Sequence, residues 1–337
     1  MPRAPVTVPI VSVQGLLSGL QMRGTETDEW ITTVLADAGI DPALLAEPGS
    51  RVIAEQYSAL LRLLVERRDD ECFGLLSRKL RQGSFALVAR SAFGAPSLEV
   101  ALRRSARTLS LLQDDVVARC VREGSMTGLI LDFRDSRAEQ LNFLHELLLR
   151  LFWQFLAWLH GKRLAPRQFD FSFDQPPYAA AYADVFPGPI QFRRPHSAVW
   201  FDTADLASPV RRDERALRLA WPHVPHRLVV PKPAEQAFSA HVNEQLLHSS
   251  PAWADVETIA KRLHVSASTL QRHLAAEGTT FQALKDRLRR DLAIVRLTTT
   301  SVPIAVIATE LGFADSAAFQ RAFKAWTGSP AGSYRPR

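Results

Sequence analysis

Apolar residues recur every three or four positions through most of the last hundred residues, a spacing typical of short helices that bury one face. Between 255 and 277 the pattern predicts a helix, a tight turn and a second helix that buries Leu270 and Leu274. Ser266 is placed to cap the second helix, because a serine oxygen accepts a hydrogen bond from a free first-turn amide. Gly278 follows as the residue type that commonly closes a helix.

The same pattern returns between 302 and 327. Ser301 is predicted to cap the first helix of this second copy, and Gly312 to form its turn. Asp315 is predicted to cap the second helix, which Gly328 ends. Three aromatic residues at i, i+4 and i+7 predict its buried face: Phe319, Phe323 and Trp326. Two helix-turn-helix units in tandem predict a protein that reads DNA.

Several side chains of the second helices lie off the predicted buried faces and are available to a partner: Ser268, Gln271, Arg272, Ala317, Gln320, Arg321 and Lys324. A connecting helix is predicted over 280–297, and its basic face includes Arg289 and Arg290.

The first two thirds of the chain mix two periodicities, which predicts an α+β fold. Helical spacing and turn signals predict helices at 13–22, 27–38, from 41 onward, 54–66, 73–80, 98–112 and 137–160. Alternating apolar positions predict a hairpin of strands at 116–121 and 127–133. Further strands are predicted at 169–173 and 198–201, around an alanine-rich helix near 178–185.

The predicted organisation is an α+β domain over 1–220, a linker over 221–235 and an all-α domain over 236–337. The linker is predicted because 221–235 is rich in proline and lacks periodicity. A helix at 237–247 is predicted to open the C-terminal domain. A chain of 337 residues with 47% apolar composition can bury two cores of this size.

Composition narrows the class of protein less than the patterns do. The formal net charge of +6 is compatible with DNA binding but does not establish it. Cys72 and Cys120 are too few for a disulfide framework, so we expect reduced core thiols in the cytoplasm, with a redox-sensing pair as the alternative. No signal peptide or membrane span is expected, because the richest apolar stretch, 147–159, falls short of the roughly 20 residues that a bilayer needs.

The chain carries no motif for catalysis or metal binding. It lacks a Gly-rich phosphate loop and a nucleophile elbow, and His145-Glu146 has no second histidine four residues after the first. His223 and His226 have ligand-like spacing but no third ligand nearby. We therefore expect no catalytic residue, no cofactor and no metal. Three arginines form either a solvated helix face or a clamp for a carboxylate ligand: Arg103, Arg104 and Arg107.

Three runs in the C-terminal part are specific enough to identify a family: AKRLHVSASTLQR at 260–272, EGTTF at 277–281 and IATELGFADSAAFQRAFK at 307–324, followed by Tyr334-Arg335. Together they make 254–335 similar to the DNA-binding domain of the AraC family of bacterial transcription regulators. The resemblance implies that the second helix of each unit enters one of two successive major-groove segments.

That resemblance assigns Ser268, Gln271 and Arg272 to the first groove. Ala317, Gln320, Arg321 and Lys324 are assigned to the second. Arginine can bond guanine and glutamine can bond adenine with two hydrogen bonds each, although each side chain could instead contact only phosphate or solvent. Arg289 and Arg290 are assigned to phosphates, and His273 to a capping or core-edge position.

Two positions depart from the family pattern. Pro330 stands one place early, so the last turn is expected to be re-formed locally. Arg296 stands where the family commonly has leucine, and there it either adds a phosphate contact or exposes the helix end.

The N-terminal part resembles the effector domain of regulators related to the ornithine-utilisation regulator. The matching segments are 83–102, with Gly94-Ala95-Pro96-Ser97-Leu98, and 189–209, with Trp200-Phe201-Asp202. The resemblance implies a domain that senses a small molecule, and no ligand site is assigned.

We therefore interpret the chain as a transcription regulator, an activator whose N-terminal domain binds an effector and forms a homodimer. Its expected partners are double-stranded promoter DNA, RNA polymerase and an unidentified small molecule. Two alternatives remain at this point: a constitutive DNA-binding regulator whose N-terminal domain only dimerises, and an N-terminal enzyme fused to a DNA-binding module.

Overall fold

The computed structural model describes residues 5–220 and 238–335, which form two compact units. One unit contains 11–34 and 58–220. The other joins 5–10 and 35–57 to 238–335. Neither unit is contiguous in sequence.

Along the chain the strands are β1 (Thr7–Pro9), β2 (Arg51–Ile53), β3 (Val116–Glu123), β4 (Met126–Phe133), β5 (Gln168–Asp170), β6 (Ile190–Gln191) and β7 (Ser197–Asp202). The helices before the gap are α1 (Ile10–Arg23), α2 (Asp28–Asp37), α3 (Ala54–Arg68), α4 (Ser84–Ser91), α5 (Leu98–Leu112), α6 (Ser136–Glu139), α7 (Asn142–His160), α8 (Thr203–Leu206) and α9 (Glu214–Ala220). After the gap they are α10 (Phe238–His248), α11 (Val256–Arg262), α12 (Ala267–Ala276), α13 (Phe281–Thr299), α14 (Ile304–Glu310) and α15 (Ser316–Thr327). Short 3-10 helices span Pro42–Ala46, Ala179–Asp184 and Ala331–Tyr334.

The first unit is built on a five-stranded sheet of order β3-β4-β7-β5-β6, in which only β5 and β6 pair in parallel. The predicted β3–β4 hairpin is confirmed, with Val116 opposite Phe133. Its two-residue turn begins with Gly124 at a φ of 58°, a backbone conformation that favours glycine. Helix α5 packs on β3 and α7 on β7. The predicted α+β character of this part of the chain is confirmed.

Two local predictions for this unit were wrong, and a third is confirmed only as a short 3-10 helix. Residues 73–80 do not form a helix, because the Asp70 carboxylate accepts the amides of Cys72 (3.0 Å) and Gly74 (2.8 Å) and folds the segment into turns. The alanine-rich segment forms the 3-10 helix Ala179–Asp184. The long helix predicted over 137–160 is interrupted at 140–141.

Helices α10 to α15 make up most of the second unit, as the all-α prediction requires. Strands β1 and β2 also belong to it, and they pair antiparallel with Val8 opposite Val52. This small sheet contacts α13, the connecting helix. The sequence did not indicate it, since two three-residue strands that are 41 residues apart leave no periodic signal.

A buried polar network fastens the small sheet to α13. Thr7 Oγ1 donates to Asp291 Oδ1 at 2.7 Å, and Arg51 Nε donates to Thr7 Oγ1 at 2.6 Å. Arg51 lies 3.9 Å from the Asp291 carboxylate, so the two buried charges compensate each other. The Tyr334 hydroxyl accepts the backbone amide of Arg51 at 3.1 Å. Segments from both ends of the chain therefore share one buried network.

The compact units differ from the contiguous division into 1–220 and 236–337, because 5–10 and 35–57 group with the C-terminal helices. We keep that division as a proposal about how the chain is organised. The linker predicted at 221–235, with His223 and His226, lies outside the described residues. Within the described ranges, no helix is long and apolar enough to cross a membrane, and no three or more His, Cys, Asp or Glu residues are grouped to hold a metal.

The turns of the two helix-turn-helix units predict opposite responses to substitution. His264 and Gly312 both adopt positive φ, 57° and 72°. His264→Gly should relieve backbone strain and raise the free energy of unfolding by a few tenths to about 1 kcal/mol. Gly312→Ala should lower it by about 2–4 kcal/mol, because the added Cβ would lie 2.6 Å from the Trp253 ring.

Urea denaturation of the full-length variants measures both changes. Gly278→Ala is the matched control, since Gly278 has a φ of 70° but open space around the added Cβ, and it should lose only the backbone contribution of about 1 kcal/mol. Equal losses at Gly278 and Gly312 would contradict the close approach of Trp253.

Candidate nucleic-acid interface

The first helix-turn-helix unit consists of α11 and α12. The side chain of Asp255 caps α11 by accepting the Thr258 amide at 2.9 Å. Ser266 caps α12 by accepting the Thr269 amide at 3.1 Å, which confirms its predicted role. The Ser266 cap therefore fixes the point at which the turn ends and α12 begins.

Helix α12 is the recognition helix of this unit, the helix predicted to enter the groove. Leu270 and Leu274 are fully buried against the rest of the unit. The residues assigned to DNA are exposed on the opposite side: Ser268, Gln271 and Arg272. His273 is also exposed, and its ring lies 4.8 Å from that of Phe238, so it packs at the edge of the core.

The second unit consists of α14 and α15. Its first helix begins after Pro303, which has no side-chain hydrogen bond, so the predicted cap at Ser301 was wrong. Asp315 caps α15 by accepting the Ala318 amide at 2.7 Å, and Gly328 ends that helix at a φ of 75°, both as predicted. The turn forms at Gly312, as predicted.

Helix α15 is the recognition helix of the second unit. Phe319 and Phe323 are fully buried and fix which side of the helix faces inward. The residues assigned to DNA are exposed: Ala317, Gln320, Arg321 and Lys324. Among the described residues, neither Arg321 nor Lys324 makes an ion pair, and the same holds for Arg272 on α12. Each recognition helix thus presents an uncompensated cation beside a glutamine.

Trp253 connects the two helix-turn-helix units through buried contacts. It lies just before α11 and is 3% exposed. Its indole Nε1 donates to the Glu310 carbonyl at 3.3 Å, at the end of α14. Its own carbonyl accepts Lys285 Nζ at 2.6 Å, and burial lowers the pKa of that lysine. The Trp253 side chain therefore contacts α14 of the second helix-turn-helix unit, and the Trp253 backbone is held by Lys285 of α13.

The two arginines predicted to contact phosphate are engaged inside the protein. The Arg289 guanidinium lies over the rings of Trp253 (4.9 Å) and Phe313 (5.2 Å), and burial lowers its pKa. Arg290 Nε donates to Asp291 Oδ1 at 3.0 Å. The phosphate contacts remain predictions, but this placement leads us to expect that both residues act mainly by holding the domain together.

The two departures from the family pattern have structural explanations. Arg296 pairs with Glu310 of α14 at 2.9 Å, so it neither projects to a phosphate nor leaves the helix end bare. After Pro330 the chain forms the 3-10 helix Ala331–Tyr334. The Tyr334 ring then packs on Phe323 at 5.1 Å. Arg335 donates to backbone carbonyls at and after the end of α13, those of Thr300 and Val302 among them.

Two family models match the chain. The N-terminal arabinose-binding domain of AraC transcription regulators matches residues 31–210, and a helix-turn-helix domain matches 259–337. The second match begins within α11 and covers the rest of the first helix-turn-helix unit and all of the second. Neither model describes an enzyme family.

Curated relatives support the same grouping. The ornithine utilization regulator of Pseudomonas aeruginosa is 33% identical over 200 residues, which span 57% of each chain. An uncharacterized HTH-type transcriptional regulator of Mycobacterium bovis is 24% identical over 100% of this chain and 98% of its own. Among solved structures, the transcriptional regulator CdpR of P. aeruginosa aligns over 96% of this chain and 97% of its own, with 19% identity and a TM-score of 0.34.

The position of Arg289 generates a test of its role. Arg289→Ala should lower the free energy of unfolding by about 1–3 kcal/mol, because it removes a half-buried cation from two aromatic rings. The dependence of DNA affinity on salt concentration should stay unchanged. In the control Arg262→Ala, which replaces an exposed arginine, both the free energy of unfolding and the salt dependence should stay unchanged.

Urea denaturation and DNA titrations at several salt concentrations measure the two effects. A variant of unchanged stability, with the slope of log affinity against log salt reduced by about 0.9, would show instead that Arg289 neutralises a phosphate.

Proposed function

We propose that this chain, which belongs to the AraC family of transcription regulators, binds promoter DNA through α12 and α15 and regulates transcription in response to a small molecule. The family is established by the match of its N-terminal domain model over 31–210 together with the helix-turn-helix match. Sequence-specific binding and effector response are the proposed parts.

One observation carries the DNA-binding part: two recognition helices in one compact unit each expose an arginine and a glutamine. The pairs are Gln271 with Arg272, and Gln320 with Arg321. These are the side chains that bond guanine and adenine edges in the major groove with two hydrogen bonds each. Helix α12 contacts α11, and α15 contacts α14. The connecting helix α13 contacts both α14 and α15. Both helices therefore belong to one packed assembly and not to two independent arms.

The effector part is supported by the N-terminal family match and by a relative whose name describes regulation of ornithine utilization. We propose that the N-terminal region binds its effector and forms a homodimer, and that the bound state activates transcription through contacts with RNA polymerase. A ligand can do this only if it binds two conformations with different affinity.

The alternative is a constitutive regulator whose N-terminal region only dimerises. A metabolite screen on the full-length protein separates the two proposals, because a ligand at 100 times its dissociation constant should add about 2.7 kcal/mol to the free energy of unfolding. Unchanged thermal stability across a broad screen would favour the constitutive regulator.

The proposed function as a whole is tested by selecting bound DNA from a random pool with the full-length protein at physiological salt. We expect two enriched sequence blocks about 10–10.5 base pairs apart, one for each recognition helix. A single enriched block would show that one unit does not read sequence. No enrichment, with or without the screened metabolites, would contradict sequence-specific binding.

Substitution of the two exposed arginines should divide the selected site into its halves. Arg272→Ala and Arg321→Ala should each relax base preference within a different block, with a loss of about 1–3 kcal/mol in discrimination. Repeating the selection with each variant measures this, and Arg262→Ala on α11 is the control that should leave both blocks unchanged. A uniform loss of affinity for all sequences would identify the arginines as phosphate contacts.

A further inference from the structure

The unit of 11–34 and 58–220 contains a cluster of aromatic side chains beside helix α7. Neighbouring ring centroids lie 4.9–6.2 Å apart. The rings that form this aromatic cluster are Phe171, Phe173, Tyr178, Tyr182, Phe186 and Phe192. Its interior is buried, since Phe171 and Phe186 are 0% and 2% exposed, whereas Phe173, Tyr178 and Phe192 keep part of their surface accessible.

Glu146 projects from α7 to the two tyrosines of the cluster. The Tyr178 hydroxyl donates to Glu146 Oε1 at 3.1 Å, and the Tyr182 hydroxyl donates to the same oxygen. The second oxygen, Oε2, has no hydrogen-bond partner among the described residues. Glu146 also forms no ion pair with a described residue, although the charge of Arg150 on the next turn influences it. The two tyrosine hydroxyls thus bond to Oε1, and Oε2 accepts no hydrogen bond from a described residue.

The surroundings of Glu146 are apolar enough that burial raises its pKa to about 7, against the opposing effect of the two hydroxyls and Arg150. The side chain nevertheless keeps part of its surface accessible. Glu146 is therefore a largely desolvated carboxyl group beside an aromatic cluster, and part of the residue remains accessible to solvent.

The neighbouring His145 shows what a purely structural polar residue looks like in the same helix. Its Nε2 donates to the Glu139 carbonyl at 2.9 Å, which leaves Nδ1 of the neutral ring to accept from the Ser197 hydroxyl at 2.7 Å. Burial lowers its pKa to about 4, and its ring stacks on Phe133 at 3.9 Å. Both ring nitrogens of His145 form hydrogen bonds within the protein, whereas only Oε1 of Glu146 does so.

We propose that Glu146 and the aromatic cluster form the effector site, and that the effector is an organic cation, an ammonium group carried on an apolar body. This inference rests on the proposed effector-binding function of the N-terminal region and specifies the chemistry of its ligand.

The chemistry of the site selects a cation. An ammonium group would donate to Oε2 and so compensate a carboxylate that the fold otherwise leaves desolvated. The faces of the surrounding rings attract positive charge, and their edges accept the apolar body of the ligand. An anion would meet the charge of Glu146 in a medium with little screening, so it is disfavoured by the same group.

Isothermal titration calorimetry on the full-length protein tests the proposal with two amines and their neutral counterparts, benzylamine against benzyl alcohol and butylamine against butanol. We expect at least one amine to bind and neither alcohol to match it. Glu146→Gln should weaken amine binding at least tenfold while keeping an oxygen that accepts both tyrosine hydroxyls. Glu123→Gln, an exposed glutamate at the end of β3, is the matched control and should bind like the wild type.

The pH dependence supplies a second readout. Amine affinity should rise from pH 6 to pH 8, as Glu146 loses its proton, and should stay flat in Glu146→Gln. The titratable groups that the structure describes beside Glu146 keep their charge in this range, since the pKa of His145 lies at about 4, those of Tyr178 and Tyr182 are raised, and Arg150 stays protonated.

Amine binding that is equal in Glu146→Gln and wild type would overturn the assignment of Glu146, as would alcohols that bind as well as the amines. If neither amine binds but a neutral or anionic metabolite raises the thermal stability of the wild type, the cation site fails and the proposed effector function stands. If no compound of the wider screen binds, the effector function itself fails.

Discussion

The placement of both recognition helices depends on one buried contact, the packing of Trp253 against Gly312 and Arg289. Trp253 precedes the first helix-turn-helix unit, Gly312 forms the turn of the second, and Arg289 belongs to the helix between them. The indole approaches Gly312 so closely that no Cβ fits there. The proposed reading of DNA at two sites requires a fixed spacing between the two helices, because the helical repeat of DNA is fixed, so we expect this contact to serve that function as well as stability.

Helix α13 contacts other parts of the chain besides the two helix-turn-helix units. Asp291, on this helix, joins the buried network of Thr7 and Arg51, and the last residues of the chain return to the same region through Tyr334 and Arg335. Removing Asp291 would take away the buried carboxylate that both Arg51 and Arg290 face, so we expect a loss of stability. The small N-terminal sheet and helices α12 and α15 therefore belong to one compact unit, although more than 200 residues separate them in sequence.

Local features could be predicted from the sequence, and contacts between distant residues could not. The caps at Ser266 and Asp315, the glycine turns and the exposed groove residues follow from helical periodicity within about 25 residues. Trp253 carries no such signal, because its partners lie 36 and 59 residues away. In the sequence, Glu146 belongs only to a His-Glu pair without a second histidine, because the tyrosines that contact it are 32 and 36 residues distant. Arg289 and Arg290 were predicted to contact phosphates, because the sequence does not show that their side chains meet Trp253, Phe313 and Asp291 within the protein.

The two kinds of buried interaction differ in what they allow the molecule to do. Trp253 is buried, and its ring lies so close to Gly312 that a different arrangement would require the surrounding core to repack. The Arg51–Asp291 pair and Glu146 are charges removed from water, so attraction and desolvation nearly cancel and a small change in their surroundings shifts the balance. A ligand changes an equilibrium only between states of similar free energy. We therefore expect the response to an effector to arise at the buried charges, while the Trp253 contact keeps the two reading helices at constant spacing in every state.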